Sequence, residues 1–264
     1  MQTEVHVYAV AIAANMLLAF FPFLIVLVSI CTHLFHWAAG AEAVLIVVKD
    51  YFPGEISGPI QKISEYPGSV QIVSILLLLF TANGVFVPME VALNHIWGCT
   101  KNRTYVRNQL VSGRLILACG GLAMITTVFT ALINWVFEQA VGPNEVISNL
   151  VGTILCKLVA IPISICAVFL IYWLLPNCKI DPRRVLPAAI RVGVLLEVLK
   201  YINLFSWSWM NKKLGDEYGP FEYAVAIVLW GFLASMLILG GAEWASRRGG
   251  PVLPAQPGAV GRQP

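Results

Sequence analysis

Six long stretches of the chain hold almost nothing that water would solvate. They run over about 8–36, 69–97, 112–140, 147–175, 185–210 and 220–245. None alternates apolar and polar positions as a barrel strand does; Ile75–Phe80, for example, is apolar throughout. In lipid only a helix satisfies its backbone without closing into a barrel, so each stretch predicts a membrane-spanning helix. A span of 28 residues reaches about 42 Å, more than the roughly 30 Å hydrocarbon core. Tilts, kinks or protruding ends are therefore expected. Pro22, Pro88, Pro162 and Pro187 lie inside four of these spans, where a proline frees a carbonyl and bends the helix.

Between the first two spans, Ala41–Phe52 places Val44, Leu45, Val48, Tyr51 and Phe52 on one helical face, with Glu42, Lys49 and Asp50 set against them. This pattern predicts an interfacial helix on the outer surface. The alternative is a buried core helix. The segment PGEISGPIQKISEYPG that follows has turn punctuation and space for another short helix. The Pro/Gly-rich tail over 247–264 predicts disorder. The fold class is thus all-α: a polytopic six-helix membrane domain over 1–246, followed by that tail.

Charge adds orientation. Lys101, Arg103, Arg107, Arg114, Lys179, Arg183, Arg184, Arg247, Arg248 and Arg262 fall on one side. Lys49, Lys62, Lys212 and Lys213 fall on the other, with most of the acids. Basic loops stay cytoplasmic, so both termini are expected inside. The basic loop KNRTYVRNQLVSGR is an ordinary positive-inside signal. Together with Arg183 and Arg184, its Lys101, Arg103 and Arg107 are also candidates for inner-leaflet headgroup contact. The first span has no basic residue before it, and its apolar run is too long for a cleaved signal; it reads as retained.

Composition excludes whole classes. With 58% hydrophobic and 12% charged residues, the chain is neither a soluble globule nor a disordered one. A net charge of +3 gives no case for nucleic acid. The cysteines Cys31, Cys99, Cys119, Cys156, Cys166 and Cys178 form no C-x-x-C pair, and most sit in apolar runs. They read as packing residues, with neither structural disulfides nor a zinc site. His33 and His36, at i and i+3 beside Trp37, are too few ligands for a metal. No phosphate-binding loop, metalloprotease or serine-hydrolase motif occurs, so neither an enzyme nor a cofactor is expected.

Ionisable residues within spans are the candidate chemistry, because lipid makes them costly. Asn83, Glu90 and Asn94 fall at i, i+7 and i+11, one stripe of the second span. Gly84 and Pro88 interrupt the same helix. Such a stripe lines a pathway or glues helices together. Arg191 lies at a depth where it can pair with Glu90 or snorkel to the headgroups. Lys157 and Glu197 lie near mid-membrane and can pair. Lys200, three residues after Glu197, competes for it. Gly231 and Ser235 form a small-xxx-small pair, a weak pointer to a homo-oligomer.

Several motifs in order resemble one family. They are AIAANMLLAFFPFLIVLVSI; LLFTANGVFVPMEVALNHIWG, with Glu90 before Ala92–Leu93–Asn94; and FLIYWLLPN, with Tyr172, Leu175, Pro176 and Asn177. RRVLPAAI and EYGPFEYAVAIVLWGFLASMLILGGAEWA follow, the latter ending in Gly241–Ala242–Glu243. Over about 10–246 the chain resembles the YihY/virulence factor BrkB family of bacterial inner-membrane proteins. The resemblance implies a six-helix inner-membrane protein, and in some members a link to movement of envelope lipids. The family's older ribonuclease BN label finds no metal-binding acid and histidine cluster in this sequence. The chain departs from the family pattern by starting almost at its first span, by Ala188 where glycine is usual, and by Glu197 where an apolar residue is expected. The last suggests altered specificity. The function expected is transport of envelope lipids or anionic amphiphiles, with membrane lipids as partners. In this picture Arg191 holds the headgroup and Glu90 neutralises it when the site is empty. The alternative is a non-transporting scaffold or envelope assembly factor working through 41–66 and the basic loop.

Overall fold

A computed structural model describes residues 2–34, 36–51, 68–99, 105–141 and 145–248. Of the tail expected to be disordered, Arg247 and Arg248 instead complete the last helix, and 249–264 lie outside these residues, as does the second half of the loop between the first two spans. Seven α-helices account for nearly all of the described chain: α1 Gln2–Ser29, α2 Ala38–Tyr51, α3 Gly68–Trp97, α4 Tyr105–Val141, α5 Glu145–Leu174, α6 Pro182–Tyr218 and α7 Glu222–Arg248. A π-helical turn, Ile30–Leu34, prolongs α1, and a 3-10 turn, Gly219–Phe221, joins α6 to α7. α1, α3, α5 and α6 each continue through their proline.

Among the described residues four segments are long and apolar enough to cross a membrane: Val5–Thr32, Ile72–Trp97, Leu110–Ile133 and Glu222–Arg247. Their outer faces carry large apolar side chains that a soluble protein would hide, among them Phe80 and Leu117, each 77% exposed. The chain is therefore a polytopic membrane protein. α4 and α6 extend past the expected spans, starting at Tyr105 and ending at Tyr218. α6 is too charged to be recognised by composition, yet its two faces are sharply divided. Leu186, Ile190, Val194, Val198, Ile202, Phe205 and Trp209 are exposed at steps of three or four, a stripe about 34 Å long. Its buried face holds Val185, Ala189, Val192, Glu197, Lys200 and Asn203. Apolar outside and polar inside is the inverse of a soluble amphipathic helix.

The helices close into a ring. α1 packs between α3 and α7, α6 between α7 and α5, and α4 joins α5 back to α3. At one end, where α3, α5 and α7 finish, Ile12, Leu93, Tyr172, Leu175, Val192 and Leu239 form a dense core. At the other end α2 folds onto the bundle. Its Val44 and Val48 pack with Leu24, Leu27, Trp207 and Met210. Of the face expected to be interfacial, Val44 and Val48 are thus turned into the protein, while the side chains of Leu45, Tyr51 and Phe52 lie outside the described residues. Four partner elements with matching apolar surface bury these valines better than a headgroup layer would, and Glu42 is left exposed.

Close approach is set by small residues. A Cβ at Gly193 of α6 would lie 2.8 Å from Ile165 Cα and 2.9 Å from its backbone nitrogen on α5. Backbone cannot swing aside as a side chain can. Gly193→Ala is expected to cost about 1–3 kcal/mol, seen as a lower thermal-unfolding midpoint; an unchanged midpoint would mean that α5 and α6 lie further apart. The Gly231/Ser235 pair is likewise spent inside the chain. A Cβ at Gly231 would meet Met16 and Ala13 of α1 at 3.4–3.6 Å, and Ser235 is fully buried.

Candidate functional site

The dense end is tied by polar bonds that begin with how α3 stops. Gly98 takes φ +65°, its N–H donates to the His95 carbonyl, and the Cys99 N–H reaches back to the Asn94 carbonyl. This is a Schellman cap, which needs a residue tolerant of positive φ. The cap holds the Asn94 side chain against the α5–α6 loop, where its Oδ1 accepts the Asn177 N–H at 2.7 Å. Beside it Cys99 is bonded to Cys178, with the two Cα atoms 5.5 Å apart. The loop then re-enters helix at Asp181, whose side chain accepts from the Arg183 N–H, with Pro182 at the first helical position. From α5 the Tyr172 hydroxyl donates to the Ile238 carbonyl of α7. Gly241 makes room, since a Cβ there would lie 2.8 Å from the Tyr172 hydroxyl.

The disulfide corrects the expectation that every cysteine is a packing residue. Cys99 and Cys178 are 79 residues apart, and no spacing rule links them. Only the junction of the α3 cap with the α5–α6 loop brings them together. Cys178→Ser is expected to lower stability by about 2–4 kcal/mol. A reductant should shift the unfolding midpoint of the unaltered protein and leave that of the variant where it is; a reductant without effect on either would contradict the bond.

The sequence-derived candidates divide by position. Glu90 is buried, with Oε2 lacking a hydrogen-bond partner among the described residues. Asn94 fastens the loop. Asn83 turns its amide back to the Leu79 carbonyl of its own helix. The stripe on α3 therefore follows one face but does different work along it. Arg191 is exposed, with its guanidinium 3.9 Å from the Trp244 ring centroid, and the Glu90–Arg191 pair is not among the described ion pairs. Glu197 is held by Lys200 at 2.6 Å and by the Ser164 hydroxyl of α5. The local partner prevails because three residues of helix already place the two side chains together. The Lys157 side chain lies outside the described residues, as do Lys101, Arg103 and the side chain of Arg107. Arg183 and Arg184 are exposed.

Between the two packed ends the ring borders a half-open cavity of about 620 Å³. Its wall draws on α1, α2, α3, α4, α5 and α7 and is almost wholly hydrocarbon: Phe20, Phe23, Leu78, Phe86, Ile116 and Ile163 are among its residues. Among the described residues the lining includes no charged side chain, and its hydroxyls are Thr126, Thr127 and Ser164. Among the described candidate residues none lines it, although Ser164 touches Glu197 from the far side. Sequence reasoning missed the cavity because its residues are ordinary apolar ones whose only signal is their small size at Ala82, Ala160, Ala167 and Ala234.

Comparison with known proteins bears on this arrangement. A family model described as Virulence factor BrkB matches residues 1–257. A UPF0761 membrane protein of Chromohalobacter salexigens is 24% identical over 253 residues, covering 90% of this chain and 58% of the relative. A Bacillus subtilis protein named as ribonuclease-like, YfkH, is 25% identical over 241 residues, 86% of this chain and 84% of its own. A UPF0761 membrane protein of Saccharophagus degradans is 30% identical over 172 residues, 63% of this chain and 37% of its own. The chain thus spans little more than half of the first relative's length. No solved structure matches. Three of the elements that carried the resemblance, Ala92–Asn94, Tyr172–Asn177 and Gly241–Ala242, meet in the dense end. With this convergence and a match over residues 1–257, the chain belongs to the Virulence factor BrkB family.

Proposed function

We propose that this protein is a transporter of lipid-like amphiphiles in the bacterial inner membrane, and not an enzyme. The observation that carries the reading is the apolar cavity midway along a closed helical ring. Its volume of about 620 Å³ falls within the roughly 300–1,000 Å³ of small-ligand sites. The described wall is almost wholly hydrocarbon and suits a hydrocarbon chain better than a phosphodiester, so the ribonuclease-like name of the Bacillus relative is not carried over. In this reading α5 and α6 join the four apolar segments as spans five and six. The stripe on α6 faces lipid, and the basic end with Arg183, Arg184 and Arg247 faces the cytoplasm. The packed, disulfide-linked end then closes the cavity on that side, in a compartment where thiols are ordinarily reduced.

The test is reconstitution into sealed liposomes with labelled lysophosphatidylethanolamine in one leaflet. Its appearance in the other leaflet is expected to be faster than in protein-free liposomes. Equal rates would refute the reading.

A further inference from the structure

α6 and α7 run antiparallel through the Gly219–Phe221 turn, and their outer seam carries charge inside an apolar surface. Arg191 is exposed. It lies within the lipid-facing stripe of α6, with Leu186 and Ile190 before it and Val194 and Leu195 after it, all exposed. Its guanidinium lies 3.9 Å from the Trp244 ring centroid on α7, and that contact fixes its depth. A Cβ at Gly241 would meet Val192, so those two residues are level. Trp244, three residues further, is about 4.5 Å nearer the basic end. The Arg191 side chain therefore climbs toward the headgroup layer and lies on the ring. A stack uses the face of a guanidinium. Its N–H donors point out around the edge, where they can grip an oxyanion as a fork. Arg184, seven residues before Arg191, falls on the same face of α6 and is exposed. Its Cα is about 8 Å beyond the level of Trp244, a distance that a side chain and one phosphate close. Arg247, three residues past Trp244, is ion-paired with Glu243. Those two charges offset each other, and Arg184 and Arg191 leave the seam positive.

Away from the basic end the seam opens. Gly240, four residues before Trp244, is exposed, and a Cβ there would meet nothing within 4 Å. Leu195, four residues after Arg191, stands at nearly the same depth on α6. We propose that the α6–α7 seam binds an anionic phospholipid, with its phosphate held by Arg191 and Arg184 and one acyl chain laid along Gly240 and Leu195. The site lies outside the cavity wall and does not depend on transport. Charge complementarity selects the occupant: a zwitterionic lipid brings an ammonium toward two guanidiniums, and a lipid of net negative charge does not. The furrow favours a lipid over free phosphate, because burial of the chain adds to the same ion pair. Beside hydrocarbon the guanidinium gains more from an anion than it would in water. Trp244 has already ordered the side chain, so less freedom is lost when the phosphate arrives.

The test adds phosphatidylglycerol or phosphatidylethanolamine of the same acyl chains to the purified protein in neutral detergent. Native mass spectrometry reads the fraction of protein that carries one added lipid. Phosphatidylglycerol is expected to be retained about tenfold more than phosphatidylethanolamine, the factor for one well-made charge-assisted hydrogen bond. Inorganic phosphate at the concentration of the lipid should not displace it. Arg191→Gln should shrink the preference to less than about threefold. Arg184→Gln should reduce it by a smaller factor and stands in if Arg191→Gln does not fold. Gly240→Leu fills the furrow with both charges in place, and it should lower phosphatidylglycerol retention at least about threefold. Lys212→Gln/Lys213→Gln, at the far end of α6 where both lysines are exposed, should change nothing. Equal retention of the two lipids overturns the proposal, as does a preference unchanged in both arginine variants. An equal loss in the lysine variant would mean bulk charge and also overturns it. Displacement by inorganic phosphate overturns the lipid as occupant, and unchanged retention in Gly240→Leu overturns the furrow as the seat of its chain.

Discussion

Filling the cavity from α5 stops transport and leaves the protein at least as stable. Ala160 and Ala167 both line the cavity. They are seven residues apart, so two turns of helix bring them onto the same face. Phenylalanine at both positions projects two rings into a space of about 620 Å³ whose wall is already hydrocarbon. Rings that enter an empty apolar space gain contacts that the alanines lack, and cavity filling commonly adds about 0.5–2 kcal/mol. Overpacking of a full core would instead cost about 1–3 kcal/mol. The sign of the change in unfolding midpoint therefore reports whether the space is open. Transleaflet movement of labelled lysophosphatidylethanolamine should fall at least about tenfold in Ala160→Phe/Ala167→Phe, which corresponds to 1.4 kcal/mol of lost binding or more. A stable variant that still transports would remove the cavity from the pathway.

Much of the fold is legible in the sequence because lipid imposes a simple rule: long apolar runs become helices. The limits of α3 and α5 follow from where charge and turn residues begin. α6 is legible only in part. Glu197 and Lys200 break its hydropathy, and the stripe from Leu186 to Trp209 becomes visible only once the buried face is known. α2 reads as amphipathic, but periodicity alone does not say whether its apolar face meets lipid or protein. The candidate site is less legible still. Sequence singles out polar residues in spans, and here most of those serve the scaffold: Asn94 holds a loop, Asn83 donates to the Leu79 carbonyl of its own helix, and Arg191 stacks on Trp244. The cavity is defined by what is missing from it, and absence of side-chain volume leaves no motif. Ser164, the residue that joins the cavity to the buried pair, is an unremarkable serine in an apolar run until α6 places Glu197 against it.

Breaking the Glu197–Lys200 pair from either side should have the largest effect on stability. The two side chains are 5% and 6% exposed. They sit near the middle of the apolar stripe on α6, about 17 Å from the Leu186 end, where water is least available. Lys200→Met leaves Glu197 with only the Ser164 hydroxyl, and Glu197→Leu leaves a buried ammonium. Removing one partner of a buried pair costs about 3–5 kcal/mol, because the remaining charge keeps its desolvation penalty and loses its compensation. The double variant Glu197→Leu/Lys200→Met removes both charges and retains volume, and it should be near neutral or more stable. Thermal unfolding of the four proteins in nanodiscs gives the coupling energy directly. Additive losses would mean that the two charges are solvated independently and that the pair is not buried as described.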